Sequence, residues 1–337
     1  MKKFLITLSV YIVLLIAGAF MLDLPIEKGI RKIETGGFQV WNALFDSKIS
    51  SEVIISGSSR AATHISPQIL DSVLHINSYN LGMIGHPYPM QQVRFKLFEK
   101  YNQKPKLVIQ NVECGTFFRP ERLADKGTFV AYIHEDLIGE ELTKRGMTKA
   151  ALNIPSLRYH GEPRVILRGL LVEFLNWTPG GTVSYKGYEG YNRDWDGSKL
   201  DKILSGDSIV AKREPELVEL FDSYLGYCKE NGIQVILVYT PQYIKATEFT
   251  KNWDGEMQLF RDFAEKYDIP FLDYTHDPIC NDTTYFFDSM HLNKKGAELF
   301  TLKLANDIKA QNLYKSGDCG VKPATGQPHQ ILRIFFK

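Results

Sequence analysis

Short apolar runs alternate with amphipathic stretches along most of this chain, and that order restricts its fold more than any other feature. Residues 53–56, 76–81, 106–112, 233–239 and 269–273 read as strands, and 66–74, 87–101, 214–231, 257–267 and 293–309 as helices between and after them. Met90, Val93, Leu97 and Tyr101 recur at helical spacing, as do Leu217, Leu220, Phe221, Tyr224 and Cys228 before the terminating Gly232. Ser66 and Pro67 read as the cap and first-turn proline of the helix through Leu74. Strands separated by helices pair in parallel, and a parallel sheet buries both faces. The pattern therefore predicts an α/β domain of three layers (α/β/α), with a five-stranded parallel sheet of flavodoxin-like type at its centre.

The alternation stops between residues 115 and 212, far longer than an ordinary connection, so this stretch is expected to be an insertion or lid with structure of its own. A helix over 156–177 and a glycine- and aromatic-rich segment over 185–195 fall within it. Arg158, Arg164 and Arg168 read as a solvated face of that helix. The domain is assigned to 51–314, and the Gly-, Pro- and Lys-rich 315–337 reads as a tail.

The amino terminus adds a second constraint. Lys2 and Lys3 precede nineteen uncharged residues (4–22), enough to cross a hydrocarbon layer of about 30 Å. Lysines on that flank stay cytoplasmic, which puts the rest outside. Ala17-Gly18-Ala19 resembles a signal-peptide processing site, but the apolar run continues through Phe20, Met21 and Leu22, which favours an uncleaved anchor over 1–25. Residues 26–50 then read as a connector lifting the domain off the bilayer. A net charge of +1 gives no pull toward nucleic acid. Cys114, Cys228, Cys280 and Cys319 lack Cys-x-x-Cys spacing, which argues against a zinc or thioredoxin-like site, and Cys228 reads as a buried thiol.

Two fragments carry chemistry. Gly57-Ser58-Ser59-Arg60 follows the first strand, where a sharp turn would expose Ser59 with its own N–H free to face a substrate oxygen. Asp288-Ser289-Met290-His291 follows the fifth strand, and its spacing lets the carboxylate hold one imidazole nitrogen while the other reaches the serine. Each has a plainer reading when taken alone, as a loop and as a helix cap. Together they fall on the carboxyl ends of the strands, the rim where ligands bind in such sheets. Arg60, His64 and His86 flank this rim and would either bind an anionic or sugar group or make surface hydrogen bonds. Tyr188 and Trp195, in the aromatic segment, would either stack on a sugar or pack a loop onto the core.

The order of these blocks resembles the SGNH (GDSL-like) hydrolase superfamily over about residues 51 to 310, the insertion apart. Gly57-Ser58-Ser59-Arg60 maps the nucleophile to Ser59, and Asp288-Ser289-Met290-His291 gives Asp288 as orienter and His291 as base. Asn80-Leu81-Gly82-Met83-Ile84-Gly85 gives Gly85 as an oxyanion donor beside the Ser59 N–H. The third block departs from the family's Gly-x-Asn-Asp: here it is Gln110-Asn111-Val112-Glu113-Cys114-Gly115, with Asn111 the nearest candidate donor. The anchor and the large insertion are similar to members acting in alginate acetylation and in D-alanine transfer to teichoic acids. That resemblance implies O-acyl transfer to, or removal from, a cell-surface glycan through an acyl-Ser59 intermediate, beside a multispanning acyltransferase and with no metal or organic cofactor. Two other readings stay open: a secreted general esterase or lipase, and an anchored glycan-binding or assembly protein that kept the fold and lost the chemistry.

Overall fold

The computed structural model describes residues 1–119, 123–124, 126–177, 180–181, 183–206 and 210–314, so the expected tail and Cys319 lie outside the described residues. Five strands form the central sheet: β1 (Val53–Ser56), β2 (Ser78–Asn80), β3 (Leu107–Asn111), β4 (Gln234–Tyr239) and β5 (Phe271–Asp273). All neighbours pair in parallel, in the order β2-β1-β3-β4-β5. The expected α/β/α arrangement is present, and the order reverses at β1, where Ser59 follows the strand.

Helices α1 (Lys2–Ile30), α2 (Gly36–Phe45), α3 (Ser59–His64), α4 (Pro67–Leu74) and α5 (Tyr88–Tyr101) belong to the first half. The insertion contributes α6 (Asp136–Lys144), α7 (Lys149–Asn153), α8 (Pro155–Arg158), α9 (Pro163–Leu175) and α10 (Ser198–Leu204). The second half adds α11 (Pro215–Glu230), α12 (Ile244–Glu248), α13 (Trp253–Tyr267) and α14 (Lys294–Ala310). A short antiparallel pair, β6 (Phe286–Asp288) and β7 (His291–Leu292), precedes α14.

Side-chain alternation along β3 separates two layers. Leu107 and Ile109 meet Leu70 of α4 and Ala297, Phe300, Leu304 and Ile308 of α14. Val108 faces Phe95 of α5, Phe221 and Leu225 of α11, and Phe260 of α13 on the other side. Near-continuous apolar strands are what a sheet covered on both faces requires. Ser66 stands at the α4 N-terminus as expected, but its hydroxyl makes no cap; its backbone N–H donates to Thr301 Oγ1 instead.

Residues 26–50 are not a connector. Ile26, Ile30, Ile33, Phe38, Trp41 and Leu44 are buried in one cluster with Leu81, Met83, Met90, Phe129 and Tyr132. The apolar positions that look like one face of a surface helix are here covered on several sides by the insertion and α5. The helix expected over 156–177 is two, because Gly161 takes a positive φ of 84° and Pro163 starts the second. Arg158 leaves the expected solvated face altogether. Its side chain is fully buried, paired with Asp23 and, at 2.9 Å, with Glu27, and its Nη1 also donates to His134 Nε2 at 2.9 Å. A buried guanidinium needs such partners, since an uncompensated charge there would cost several kcal/mol.

Candidate active site

All four side chains of β1 are buried, and Gly57 ends the strand with φ 146°. A Cβ at Gly57 would lie 2.8 Å from both the Ala61 and Asn111 β-carbons, so glycine is the residue this turn admits. Ser58 then caps α3, its hydroxyl accepting the Arg60 N–H at 3.3 Å, and Ser59 becomes the first helical residue. Across the rim, Asp288 and His291 pair at the turn end of the β6–β7 hairpin.

Ser59 Oγ lies 2.8 Å from His291 Nε2, and His291 Nδ1 lies 2.9 and 3.0 Å from the two carboxylate oxygens of Asp288. With the Nδ1 proton donated to Asp288, Nε2 is left as acceptor for the serine hydroxyl. Asp288 Oδ1 also accepts the backbone N–H groups of Met290 and His291 at 2.8 and 2.9 Å. Burial raises the Asp288 pKa, but the His291 hydrogen bond and charge, the Met290 N–H and Lys199 outweigh it, so the carboxyl is held well below the usual carboxylate range. Asp288 is therefore ionised wherever the site can work. Phe287 stacks on the imidazole at 5.2 Å and 5° between planes, which limits ring rotation.

The N–H groups of Ser59 and Gly85 make no hydrogen bond within the protein among the described residues, leaving both free for an oxyanion. The loop carrying Gly85 is fixed beside the nucleophile turn: Leu81 N–H donates to Ile55 O at 2.8 Å and Met83 N–H to Gly57 O at 2.9 Å. Arg94, lying under the Trp41 ring at 4.2 Å, donates to the carbonyls of Leu81 and Gly82. Thus α2 supports the loop carrying Gly85 from behind.

Three expected site residues face elsewhere. Asn111 is buried against Gly57, and its Nδ2 points to Val238 O at 3.2 Å and Thr240 Oγ1 at 3.5 Å, so it does not serve as the third donor. Arg60 is buried too. It bonds Thr240 through both its oxygens and Gln242 Oε1 at 3.1 Å, and packs 4.5 Å over the Tyr239 ring, which leaves nothing for a substrate. His86 is buried beside Phe129 rather than lining the rim. The aromatic segment is divided. Tyr188 packs into the α14-side core, whereas Trp195 stays half-exposed, its ring 5.1 Å from Tyr243, beside the β6–β7 pair.

Two further side chains support the site: Lys199, which no motif signalled, and His64, which was expected on the rim and is buried behind it. Lys199, at the start of α10, donates to Asp288 Oδ2 at 3.2 Å and brings the insertion to the triad. His64, fully buried, accepts the Leu292 N–H through Nε2 and donates from Nδ1 to Thr240 Oγ1, each at 2.9 Å. Burial, then Arg60 and His291, pushes the His64 pKa well below its ordinary value, so it stays neutral in that role. Among the described residues no cluster of three or more His, Cys, Asp or Glu side chains is arranged to hold a metal ion. Cys114, Cys228 and Cys280 are free thiols.

No protein-family model and no curated protein matches the chain. Among solved structures it is similar to a GDSL-like lipase from Bacteroides thetaiotaomicron, at 12% identity and a TM-score of 0.37 over 81% of this chain and 99% of that one. It is also similar to an acetyl xylan esterase from the rumen bacterium Butyrivibrio proteoclasticus, at 9% identity and a TM-score of 0.34 over 78% of this chain and 65% of that one.

Proposed function

We propose that this chain is a serine-dependent acyl-ester enzyme of the SGNH hydrolase type, held at the outer face of the membrane by α1. One observation carries the reading: Ser59 Oγ is 2.8 Å from His291 Nε2 while Asp288 holds the far side of the same imidazole. In the first step Ser59 Oγ bonds to the ester carbonyl carbon as its proton passes to His291 Nε2. The oxyanion that forms is met by the N–H groups of Ser59 and Gly85. Collapse expels the alcohol, which takes the proton back from His291, and leaves an acyl-Ser59 ester. A second hydroxyl, activated by the same imidazole, then attacks that ester and releases the acyl group.

Whether that second hydroxyl belongs to water or to a sugar separates an esterase from an O-acyltransferase. We favour acyl transfer to, or removal from, a cell-surface polysaccharide. The reading is supported by the apolar helix at one end of the chain and by an insertion that reaches Asp288 through Lys199 and could shield the acyl-enzyme from water. A multispanning acyltransferase would supply the acyl group from across the membrane. The altered third block motivates the competing reading, a binding protein without turnover, because one lost oxyanion donor costs about 10²–10³ in rate.

Both choices are tested with the full chain and an acetyl ester of p-nitrophenol, with and without candidate oligosaccharides, following product masses. Turnover that disappears in Ser59→Ala supports the enzyme, and turnover unchanged in that variant overturns the assignment. Acetylated sugar supports transfer; free acetate at a rate indifferent to sugar supports an esterase.

A further inference from the structure

Helix α1 has an 18-residue window of mean hydropathy 2.6 with none of it buried, and its apolar run ends at Asp23. That boundary is fixed to the domain. Arg158 pairs with Asp23 and Glu27, Gly169 packs backbone to backbone on Ile26 and Gly29, and Lys32 pairs with Glu173 at 2.7 Å. Residue numbers climb together in these contacts, so α9 runs alongside the last turns of α1 in the same direction. Its N-terminal half lies beside the turn where the apolar run stops.

The outward side of that half, with the end of α8 before it, mixes exposed leucines with cationic side chains. Leu167 is 57% exposed, and Leu157, next to the buried Arg158, is 45% exposed. Arg164 and Arg168 flank Leu167 on the same helix and form no ion pair among the described residues. Exposed leucines interleaved with free guanidinium groups are the composition of a helix face lying at a lipid–water interface, where the apolar groups enter the acyl boundary and the cations meet phosphate. Because α1 sets the level of the bilayer and α9 cannot slide along α1 without breaking the Gly29–Gly169 contact, this face meets headgroups rather than open water.

We propose that Leu157, Arg164, Leu167 and Arg168 form a seat on the outer leaflet, binding the phosphate groups of lipids and holding the domain directly against the bilayer. The inference rests on the reading of α1 as a spanning helix. It also places the site: Arg31 donates to Ala131 O, its guanidinium lies over Tyr132, and Phe129 of the same turn contacts His86, the neighbour of Gly85. The seat and the oxyanion loop therefore belong to one packed body, and the substrate must be presented close to the membrane.

The test uses the full chain in nanodiscs of phosphatidylglycerol and phosphatidylethanolamine, with the photocrosslinking residue p-benzoylphenylalanine placed at position 14, 167, 175 or 229. Lipid adducts are counted by intact mass after irradiation. We expect adducts at 14 and 167 several-fold above the level at 229, on the distant helix α11, with 175 lower than 167 because α9 rises away from the boundary. Adducts at 14 with 167 no higher than 229 would overturn the seat and leave the anchor standing. Absence of adducts at 14 would remove the spanning reading, and the seat with it.

Discussion

The backbone N–H of Leu292 donates to Nε2 of His64 at 2.9 Å, tying the residue after the base to the helix that begins with the nucleophile. Ser59 and His64 sit at opposite ends of α3, so one six-residue helix fixes both sides of the Ser59–His291 hydrogen bond. His64→Leu removes the acceptor and orphans a buried N–H, whereas His64→Gln can restore an acceptor. We expect the leucine variant to lose about 10²-fold or more in kcat with little change in KM, since a misplacement of about 1 Å costs that much, and the glutamine variant to recover part of it. Equal loss in both variants, or a loss confined to KM, would mean that His64 only fills space.

Asp288 acts through its charge and geometry on Nδ1. Asp288→Asn keeps the shape but no longer fixes the Nδ1–H tautomer, so kcat is expected to fall by about 10⁴. Lys199→Met removes only a half-exposed partner of the same carboxylate, and exposed pairs contribute about 1 kcal/mol or less. Steady-state kinetics on the two variants separates these effects: comparable losses would contradict the assignment of Asp288 as orienter.

The strands and the two fragments that meet at the Ser59–His291 contact were legible in the sequence because each is a local pattern. β1 falls at the expected residues, and the other strands are trimmed at their ends, as with 76–81 shortening to Ser78–Asn80. What could not be read was direction. Arg60 follows the nucleophile and looks like a rim cation, but it sits one position around α3 and so points inward to Thr240. Asn111 has suitable chemistry in an early register, and its amide is taken by the carbonyl of Val238 on β4. Residues 26–50 look like a linker because their apolar positions read as one face of a surface helix, and their burial depends on an insertion far along the chain. Lys199 reaches Asp288 across 89 positions of sequence, and neither residue's neighbours signal it.

His86 gives a stability prediction with a defined sign. Burial first, then Arg94 and Arg145, push its imidazole down to about 3. In the unfolded chain it would take a proton near the ordinary value of about 6.5. Between those two values the unfolded state holds the extra proton, so this group's contribution to stability is present above about pH 6.5 and is lost as pH falls toward about 3, at up to about 1.4 kcal/mol per unit. His86→Leu deletes the titration. Urea unfolding at pH 7 and pH 5 should show the parent losing more stability than the variant, and equal losses would mean that His86 is not buried neutral.

Arg158 is the most heavily committed link between the anchor end and the insertion. Removing it leaves Asp23 and Glu27 without their cation at positions only about one-fifth exposed, and breaking one side of a buried pair costs about 3–5 kcal/mol. Arg158→Ala should therefore lower the melting temperature of the reconstituted chain and expose the segment between α6 and α9 to limited proteolysis before the sheet is attacked. Arg158→Ala combined with Asp23→Asn and Glu27→Gln should recover most of that loss, because no charge is then left unpaired. Failure of the triple variant to recover would show that Arg158 stabilises the contact through the packing of its side chain rather than through its charge, and the anchor would then be held mainly by Ile26, Gly29 and Ile30.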